Sequence, residues 1–469
     1  MLFNSSEFLW FILIFFSLYW LLGKKYKQQN ILIVAASYFF YGFWDYRFLA
    51  LILFSSVLDF FCGIKISKSS KPKLWLYLSL TANLGLLGFF KYFNFFIESF
   101  KNLSEALGFT ANVSSLEIIL PVGISFYTFQ TLSYSIDVYK GKIPPSKNFI
   151  AFMAYVSFFP QLVAGPIERA SHLLPQFLQK REFEYQKASE GMRLIIWGFF
   201  KKLVIADNCA LFANEIFENY QQMHTISLIL GSIYFAFQIY GDFSGYSDIA
   251  IGLSRLLGFD LMTNFRTPYF SRDIAEFWRR WHISLSTWFR DYLYIPLGGS
   301  QGSKSKVIRN IFIIFLVSGF WHGANWTFIA WGLINALYFL PLYLRERNRK
   351  NTGDISLKSL PKILITFGLV CFAWIFFRAE SITIAFNYIS SMFTNYNMES
   401  TSVFIGRKGL TILIFFFLLF EWFVFRHSDF QKRIKKMSLI ARHLFYILVF
   451  YLILNDSVKQ KVDFIYFQF

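Results

Sequence analysis

The chain has 469 residues, of which 55% are hydrophobic and 16% are charged. Its 46 lysines and arginines outnumber its 28 aspartates and glutamates, which gives a net charge of +18. A soluble protein needs more surface charge than this, and a disordered or nucleic-acid-binding chain is far less apolar. The composition therefore excludes these classes and indicates a multi-pass membrane protein, in which the positions of the basic residues indicate orientation.

The first apolar run, at residues 8–22, is preceded by Glu7 and followed by Lys24, Lys25 and Lys27. A cleavable signal peptide has its positive charge before the apolar segment, so this run does not fit one. Because basic residues gather at the cytoplasmic end of a membrane helix, we expect this helix to enter the membrane with its N-terminus outside.

Apolar runs continue along the chain, some near the twenty residues that cross about 30 Å of hydrocarbon and others shorter or more polar. They lie at about 31–44, 48–64, 74–97, 118–138, 150–165, 194–212, 226–254, 311–342, 363–377, 409–425 and 444–455. One orientation assigns 38 of the 46 basic residues to cytoplasmic segments, at 24–27, 65–73, 140–147, 169–193, 201–202, 255–309, 345–362 and 426–442. We therefore expect a single membrane domain over 1–469 in the cell (inner) membrane, with both termini extracytoplasmic.

The run at 150–165 has basic segments on both sides, so it does not fit a single crossing. It contains Pro160 and ends at Gly165 and Pro166, residues that interrupt helices. We expect a broken or re-entrant helix here, because irregular backbone at membrane depth is tolerated only where protein or a wet cavity covers it.

The run at 311–342 also has basic residues at both ends, Arg309 and Arg345, which indicates a helical hairpin. Its first arm, at 311–321, is about 16 Å long at helical rise, about half a membrane. The turn would then place His322 near the midplane. An ionisable group at that depth is costly and usually functional, and imidazole suits proton transfer near neutral pH.

Glycines beside His322, at positions 319 and 323, would allow a backbone or a ligand to approach closely. The alternative is a histidine that packs between helices and bonds to a neighbouring serine or threonine. Four other histidines, His172, His224, His427 and His443, lie in polar segments and are expected to be solvated or interfacial.

A second histidine, His282, lies in a segment rich in arginine and tryptophan. Arg279, Arg280 and Arg290 could frame an anionic substrate that enters from the cytoplasm, since guanidinium groups bind phosphate and carboxylate through two hydrogen bonds. The alternative is an amphipathic helix at the cytoplasmic surface of the membrane.

Two carboxylates, Asp242 and Asp248, lie inside an apolar stretch. They could accept hydrogen bonds from the histidines, or they could be partners in structural ion pairs. The three cysteines are far apart in or beside apolar runs, which indicates packing rather than disulfides. We predict no metal site and no bound cofactor.

Several blocks, in this order along the chain, resemble the membrane-bound O-acyltransferase (MBOAT) superfamily. They are 162–167, 240–248, 276–286, 294–299, 320–323 and the last residues, 464–469. More narrowly, the chain looks like the bacterial alginate O-acetyltransferase branch, which includes peptidoglycan O-acetyltransferases and, more distantly, the D-alanyl transferases of teichoic acid.

The resemblance implies an all-α polytopic fold of about 11–13 membrane helices, with re-entrant or broken segments around a central core. It makes His322 the principal catalytic histidine and His282 the second catalytic residue. The candidate substrate-binding residues are their neighbours and the two carboxylates: Arg279, Arg280, Trp281, Arg290, Asp242, Asp248, Trp321 and Asn325.

The resemblance also implies that an acetyl group from a cytoplasmic thioester, acetyl-CoA, crosses the membrane for O-acetylation of a cell-envelope polysaccharide. The expected partners are membrane lipid, the acyl-CoA donor and an extracytoplasmic SGNH-type O-acetyltransferase. Alternatives are D-alanyl transfer from a carrier protein and, in another class, a secondary transporter, whose sites also lie on broken helices. The acceptor stays open among alginate, peptidoglycan, cellulose and other exopolysaccharides.

Overall fold

A computed structural model describes residues 1–110, 113–163, 165–346, 356–397, 408–425, 434–458, 462, 464 and 465. Throughout these ranges the regular elements are helices, without a strand, which confirms the all-α prediction. The chain divides into two compact units. The N-terminal unit comprises Met1–Met192 and Ile249–Met262, and the C-terminal unit comprises Arg193–Asp248 and Thr263–Phe469. The single domain over 1–469 stays a prediction.

Twenty α-helices lie within the described residues. Those that begin before residue 193 are α1 (Ser6–Leu21), α2 (Tyr26–Asp45), α3 (Leu49–Lys68), α4 (Pro72–Leu87), α5 (Phe93–Ala106), α6 (Ile124–Tyr139), α7 (Phe149–Ser157), α8 (Phe159–Leu162), α9 (Ala170–Leu173) and α10 (Tyr185–Phe199). Those that follow are α11 (Asp207–Glu218), α12 (Thr225–Leu256), α13 (Ile274–Arg280), α14 (Ile283–Phe289), α15 (Lys304–His322), α16 (Trp326–Leu344), α17 (Leu360–Arg378), α18 (Ile382–Thr394), α19 (Lys408–Phe425) and α20 (Leu439–Asp456).

Six helical segments within the described ranges are long and apolar enough to cross a membrane. They are Tyr26–Lys68, Pro72–Ala106, Thr225–Leu256, Trp326–Leu344, Leu357–Arg378 and Leu439–Asp456. This confirms a multi-pass integral membrane protein, while the total of 11–13 helices stays a prediction.

The helix in the run 150–165 is broken, as predicted. Helix α7 ends at Ser157, Phe158 has a ψ of 103°, and α8 begins at Phe159. Pro160 causes the break, because it has no N–H to donate to the preceding turn but fits the first turn of a new helix. Ala164 lies outside the described residues.

Helices α15 and α16 form the predicted hairpin, with three residues between them. The predicted length of the first arm was wrong: α15 has 19 residues, about 28 Å, because the helix begins at Lys304, well before the apolar run. The two arms approach closely at glycines. A Cβ atom at Gly319 would collide with the carbonyl oxygen of Phe328, and one at Gly332 with that of Phe315.

The placement of Lys201 and Lys202 in a loop was also wrong, while the side of the membrane on which they lie stays a prediction. Both lie in a π-helical segment, Phe200–Ala206, between α10 and α11, and they are 3% and 2% exposed. Carboxylates of the same unit pair with both ammonium groups. The two charges are therefore compensated inside the C-terminal unit and do not indicate orientation.

Candidate functional site

Two buried histidines face each other in the C-terminal unit. His322 is the last residue of α15 and His282 immediately precedes α14; they are 4% and 0% exposed. Their ring centroids are 6.4 Å apart. His282 has a φ of +42°, a left-handed conformation that is rare for residues other than glycine. Such strain persists only where the surroundings enforce it, and it is enriched at functional sites.

Aromatic rings surround His322. The centroids of Trp321, Trp331 and Phe377 lie 4.9, 5.3 and 5.3 Å from that of His322. Helices α15, α16 and α17 contribute one ring each. The chemistry of this histidine would therefore take place in apolar surroundings, where electrostatic interactions are stronger than in water.

His282 is held by an amide and by aromatic rings. Its Nδ1 lies 3.1 Å from Oδ1 of Asn264, and the ring of Phe243 packs edge-on at 4.6 Å. The Nε2 atom is buried and has no hydrogen-bond partner in the described part of the chain. His282 lies outside the six candidate spans. Burial, with a smaller contribution from His322, holds the pKa of His282 below its ordinary value and favours the neutral imidazole.

A cleft of about 230 Å³ opens beside this pair, within the same unit. Its walls include Trp278, Ile311 and Phe315, and Arg290 also lines it. Ser318, which also lines the cleft, is one helical turn before His322 on the same face of α15. Trp278 also connects the cleft with the histidine pair, because its ring packs against Trp331, which contacts His322. The cleft thus leads towards the histidine pair.

The predicted arginines have different surroundings. Arg280 forms an ion pair with the buried Glu276, at 2.9 Å, and Arg272 holds the same carboxylate at 2.9 Å. Arg279 is exposed near the end of α13. Arg290 is 60% exposed and pairs with the neighbouring Asp291 at 2.8 Å. Only Arg290 of the three lines the described cleft.

The two predicted carboxylates both contact lysines. Asp242 and Asp207 hold Nζ of Lys202 at 2.7 and 2.8 Å, and Asp248 lies 2.7 Å from Nζ of Lys201. These contacts agree with the alternative of structural ion pairs. A substrate-binding role for either carboxylate stays a prediction.

The remaining predicted residues lie around the pair. Trp281 is 1% exposed and packs between aromatic rings that include Phe277 and Trp374. The centroid of Trp321 lies 6.1 Å from that of His282. Asn325 caps α16, accepting from the N–H of Thr327 at 3.0 Å and donating to the carbonyl of Glu380 at 2.9 Å. Substrate contacts of all three stay predictions.

Part of the final block lies in the core of the same unit. Phe464 packs against Tyr246, with ring centroids 4.3 Å apart, and the N–H of Ile465 donates to Oδ2 of Asp242 at 2.6 Å. Phe464 also contacts Phe243, the ring that packs on His282. Residues 466–469 and His427 lie outside the described residues.

Sequence reasoning missed three groups of the site: Asn264, the aromatic pair Trp331 and Phe377, and the lysines that bind the carboxylates. Trp331 and Phe377 could not be distinguished by sequence from the other aromatic residues, which are abundant because aromatic residues make up 22% of the chain. Asn264 lies in a polar connector 18 residues before His282, and no periodic pattern relates the two. Asn264 lies between Thr263 and Phe265, and this position gives no signal in the sequence.

Comparison with known proteins identifies the family. The model of MBOAT, the membrane-bound O-acyltransferase family, matches residues 143–375. The probable alginate O-acetylase AlgI of Pseudomonas aeruginosa is 42% identical over 84% of this chain and 75% of its own length. The peptidoglycan O-acetyltransferase of Helicobacter pylori is 37% identical over 84% of this chain and 80% of its own. A teichoic acid D-alanyltransferase of Streptococcus thermophilus is 30% identical over 55% of this chain and 68% of its own. These matches confirm the predicted acyltransferase enzyme, and the chain belongs to the membrane-bound O-acyltransferase family.

Proposed function

We propose that this enzyme takes an acetyl group from acetyl-CoA at the cytoplasmic face and passes it across the membrane for O-acetylation of a cell-envelope polysaccharide. The relatives with the broadest coverage are named for alginate and for peptidoglycan, which are both polymers of the cell envelope. The observation that carries the proposal is the buried pair of histidines, 6.4 Å apart, beside a cleft lined by an arginine.

The donor binds along the cleft in this proposal. Arg290, an exposed side chain that lines the cleft, suits the phosphates of coenzyme A, since guanidinium and phosphate pair through two hydrogen bonds. The apolar walls, formed by residues such as Ile311 and Phe315, suit the narrow arm that carries the thioester. An acetyl group carried past Ser318 would lie within one helical turn of His322.

His322 acts as the general base. Its imidazole takes the proton of an acceptor hydroxyl as the oxygen attacks the thioester carbonyl carbon, forming a C–O bond. The C–S bond then breaks, and the protonated imidazole returns the proton to the departing thiolate. The reaction as written needs no oxidant or reductant. The surrounding rings of Trp321, Trp331 and Phe377 limit access of water, which would otherwise hydrolyse the thioester.

The orientation follows from the basic segments: both termini are extracytoplasmic in the inner membrane, and the donor cleft opens to the cytoplasm. The polysaccharide lies on the opposite side, so the acetyl group needs an extracytoplasmic acceptor step. An SGNH-type O-acetyltransferase is the proposed partner for that step. Membrane lipid surrounds the apolar helices.

The second candidate donor is a D-alanyl carrier protein. It is supported by the teichoic acid D-alanyltransferase, but that relative matches 55% of this chain, against 84% for the acetyl-transferring relatives. Acetyl transfer is therefore favoured.

The donor is tested with purified protein in lipid nanodiscs, incubated with a hydroxyl-bearing glycan as acceptor and either acetyl-CoA labelled in the acetyl group or a D-alanylated carrier protein. We expect thioester cleavage with acetyl-CoA, and loss of cleavage in His322→Ala. His443→Ala is the matched control, because this exposed histidine bonds to a carbonyl of its own helix. Cleavage of only the D-alanyl thioester would refute acetyl-CoA as donor. Entry of intact acetyl-CoA into sealed vesicles would instead indicate a transporter.

A further inference from the structure

Asn264 lies against three consecutive residues of the His282 segment. The Asn264 backbone carbonyl accepts from the N–H of Ile283 at 2.9 Å. Its side-chain Oδ1 accepts from the N–H of Ser284 at 3.3 Å and from Oγ of Ser284 at 2.9 Å. The same oxygen lies 3.1 Å from Nδ1 of His282. One fully buried asparagine thus holds the imidazole of a strained histidine and the backbone of the two residues that follow it.

The contacts define which atom of the Asn264 amide is the oxygen. The N–H of Ser284 can only donate, so the atom that faces it must be Oδ1. The amide nitrogen then donates to Oγ of Ser247 at 3.1 Å, on α12. Both ends of the amide therefore have partners that agree with this orientation.

The orientation of the amide determines the tautomer of His282. A carbonyl oxygen cannot donate, so Nδ1 of His282 carries the proton in its 3.1 Å contact with Asn264. Oγ of Ser284 also lies 3.4 Å from Nδ1, but its hydroxyl donates to Oδ1 of Asn264 at the shorter distance of 2.9 Å. In the neutral ring the lone pair is then on Nε2, the buried atom that has no hydrogen-bond partner among the described residues. His282 is left with an acceptor nitrogen in apolar surroundings.

We propose that Asn264 is a positioning residue that fixes His282 as the Nδ1-protonated tautomer, leaving Nε2 to accept a proton or a hydrogen bond during acyl transfer. The inference rests on the proposed function in assigning His282 to the reaction, while the tautomer itself does not. Helix α12 and the 263–273 connector contribute Phe243 and Phe265 to the surroundings of His282, and α15 contributes Trp321 and the ionisable His322. In this proposal both His282 and His322 take part in acyl transfer, and Asn264 acts through His282.

The tautomer is tested by nuclear magnetic resonance of protein with ¹⁵N-labelled histidine in nanodiscs. His282→Gln identifies which of the six histidine signals belongs to His282. Long-range ¹H–¹⁵N correlations should show a proton on Nδ1 and none on Nε2. This pattern should be lost in Asn264→Ala. A proton on Nε2 in the wild-type protein would overturn the proposal, whether or not the protein consumes acetyl-CoA.

The role in catalysis is tested by the kinetics of acetyl-CoA cleavage. Removing a group that orients a working histidine typically costs on the order of 10–100-fold, and we expect Asn264→Ala to lower kcat by this amount with KM unchanged. Asn264→Asp keeps the acceptor oxygen and should retain more activity. Its carboxylate would raise the pKa of His282, so the acid limb of the pH–rate profile should move to higher pH.

Asn335→Ala is the matched control, because Asn335 is equally buried in the same unit and donates to the carbonyl of Trp331 in its own helix. We expect it to keep the wild-type kcat and pH profile. Wild-type kcat in Asn264→Ala, or an unshifted profile in Asn264→Asp, would overturn the role in catalysis. If Asn264→Ala does not fold, the pH–rate profile of Asn264→Asp and the tautomer of His282 in the wild-type protein still test the proposal. An inactive wild-type protein with the expected tautomer would refute the proposed function instead.

Discussion

Substitution of Lys202 by methionine should destabilise the C-terminal unit far more than substitution of its partner Asp207. Nζ of Lys202 lies 2.7 Å from Oδ1 of Asp242 and 2.8 Å from Oδ1 of Asp207, and all three side chains are buried. Lys202→Met keeps the length of the side chain but leaves two carboxylates close together without a cation. Breaking a buried ion pair in this way costs about 3–5 kcal/mol.

Asp207→Asn has a different electrostatic consequence. It removes the surplus negative charge and leaves Lys202 paired with Asp242, and the amide oxygen can still accept a hydrogen bond from the ammonium. The expected cost is about 1 kcal/mol, the net value of one hydrogen bond. The predicted difference between the two variants is therefore several kcal/mol in the free energy of unfolding.

The assay is thermal or denaturant unfolding of purified protein in detergent, followed by tryptophan fluorescence. Lys71→Met, in the exposed connector before α4, is the control for loss of a lysine charge and should leave stability unchanged. Equal stability of Lys202→Met and Asp207→Asn would refute the reasoning. A loss in Lys202→Met should also reduce activity, since Asp242 precedes Phe243, which packs on His282.

Two further predictions concern packing and orientation. Gly319→Ala should cost about 1–3 kcal/mol of stability, because the added methyl group overpacks the hairpin. Gly368→Ala on α17 is the control and should leave stability unchanged, because a Cβ atom there would meet no atom within 4 Å. Equal melting temperatures of the two variants would contradict this prediction. A membrane-impermeant maleimide should label Leu107→Cys in intact cells and Lys140→Cys only after permeabilisation, against a low background because the native cysteines are buried. The opposite labelling pattern would contradict the proposed orientation.

The hairpin and the broken helix were predictable from the sequence because both depend on local signals. Pro160 separates α8 from α7 whatever residues surround the two helices. The hairpin at His322 follows from the basic residues at both ends of the run 311–342, which do not fit a single crossing. His322 itself was identified because an ionisable residue in an uncharged run is costly unless it has a function.

The contacts around these elements depend on residues far apart in the sequence. Lys202 was assigned to a cytoplasmic segment because charge counting treats every lysine as solvated, yet Asp242, 40 positions later, compensates it in the core. Asn264 reaches His282 across the connector that contains α13. The length of α15 was underestimated because its first turns are polar, and the apolar run marks only the rest.

The most direct test of acyl transfer at His322 is the acetyl ester content of the envelope polysaccharide in cells that carry this chain as their only copy. With equal amounts of protein in the membrane, His322→Ala should abolish the ester-linked acetyl, while His443→Ala should leave it at the wild-type level. Wild-type acetylation in His322→Ala cells would contradict the assignment of His322 as the catalytic base.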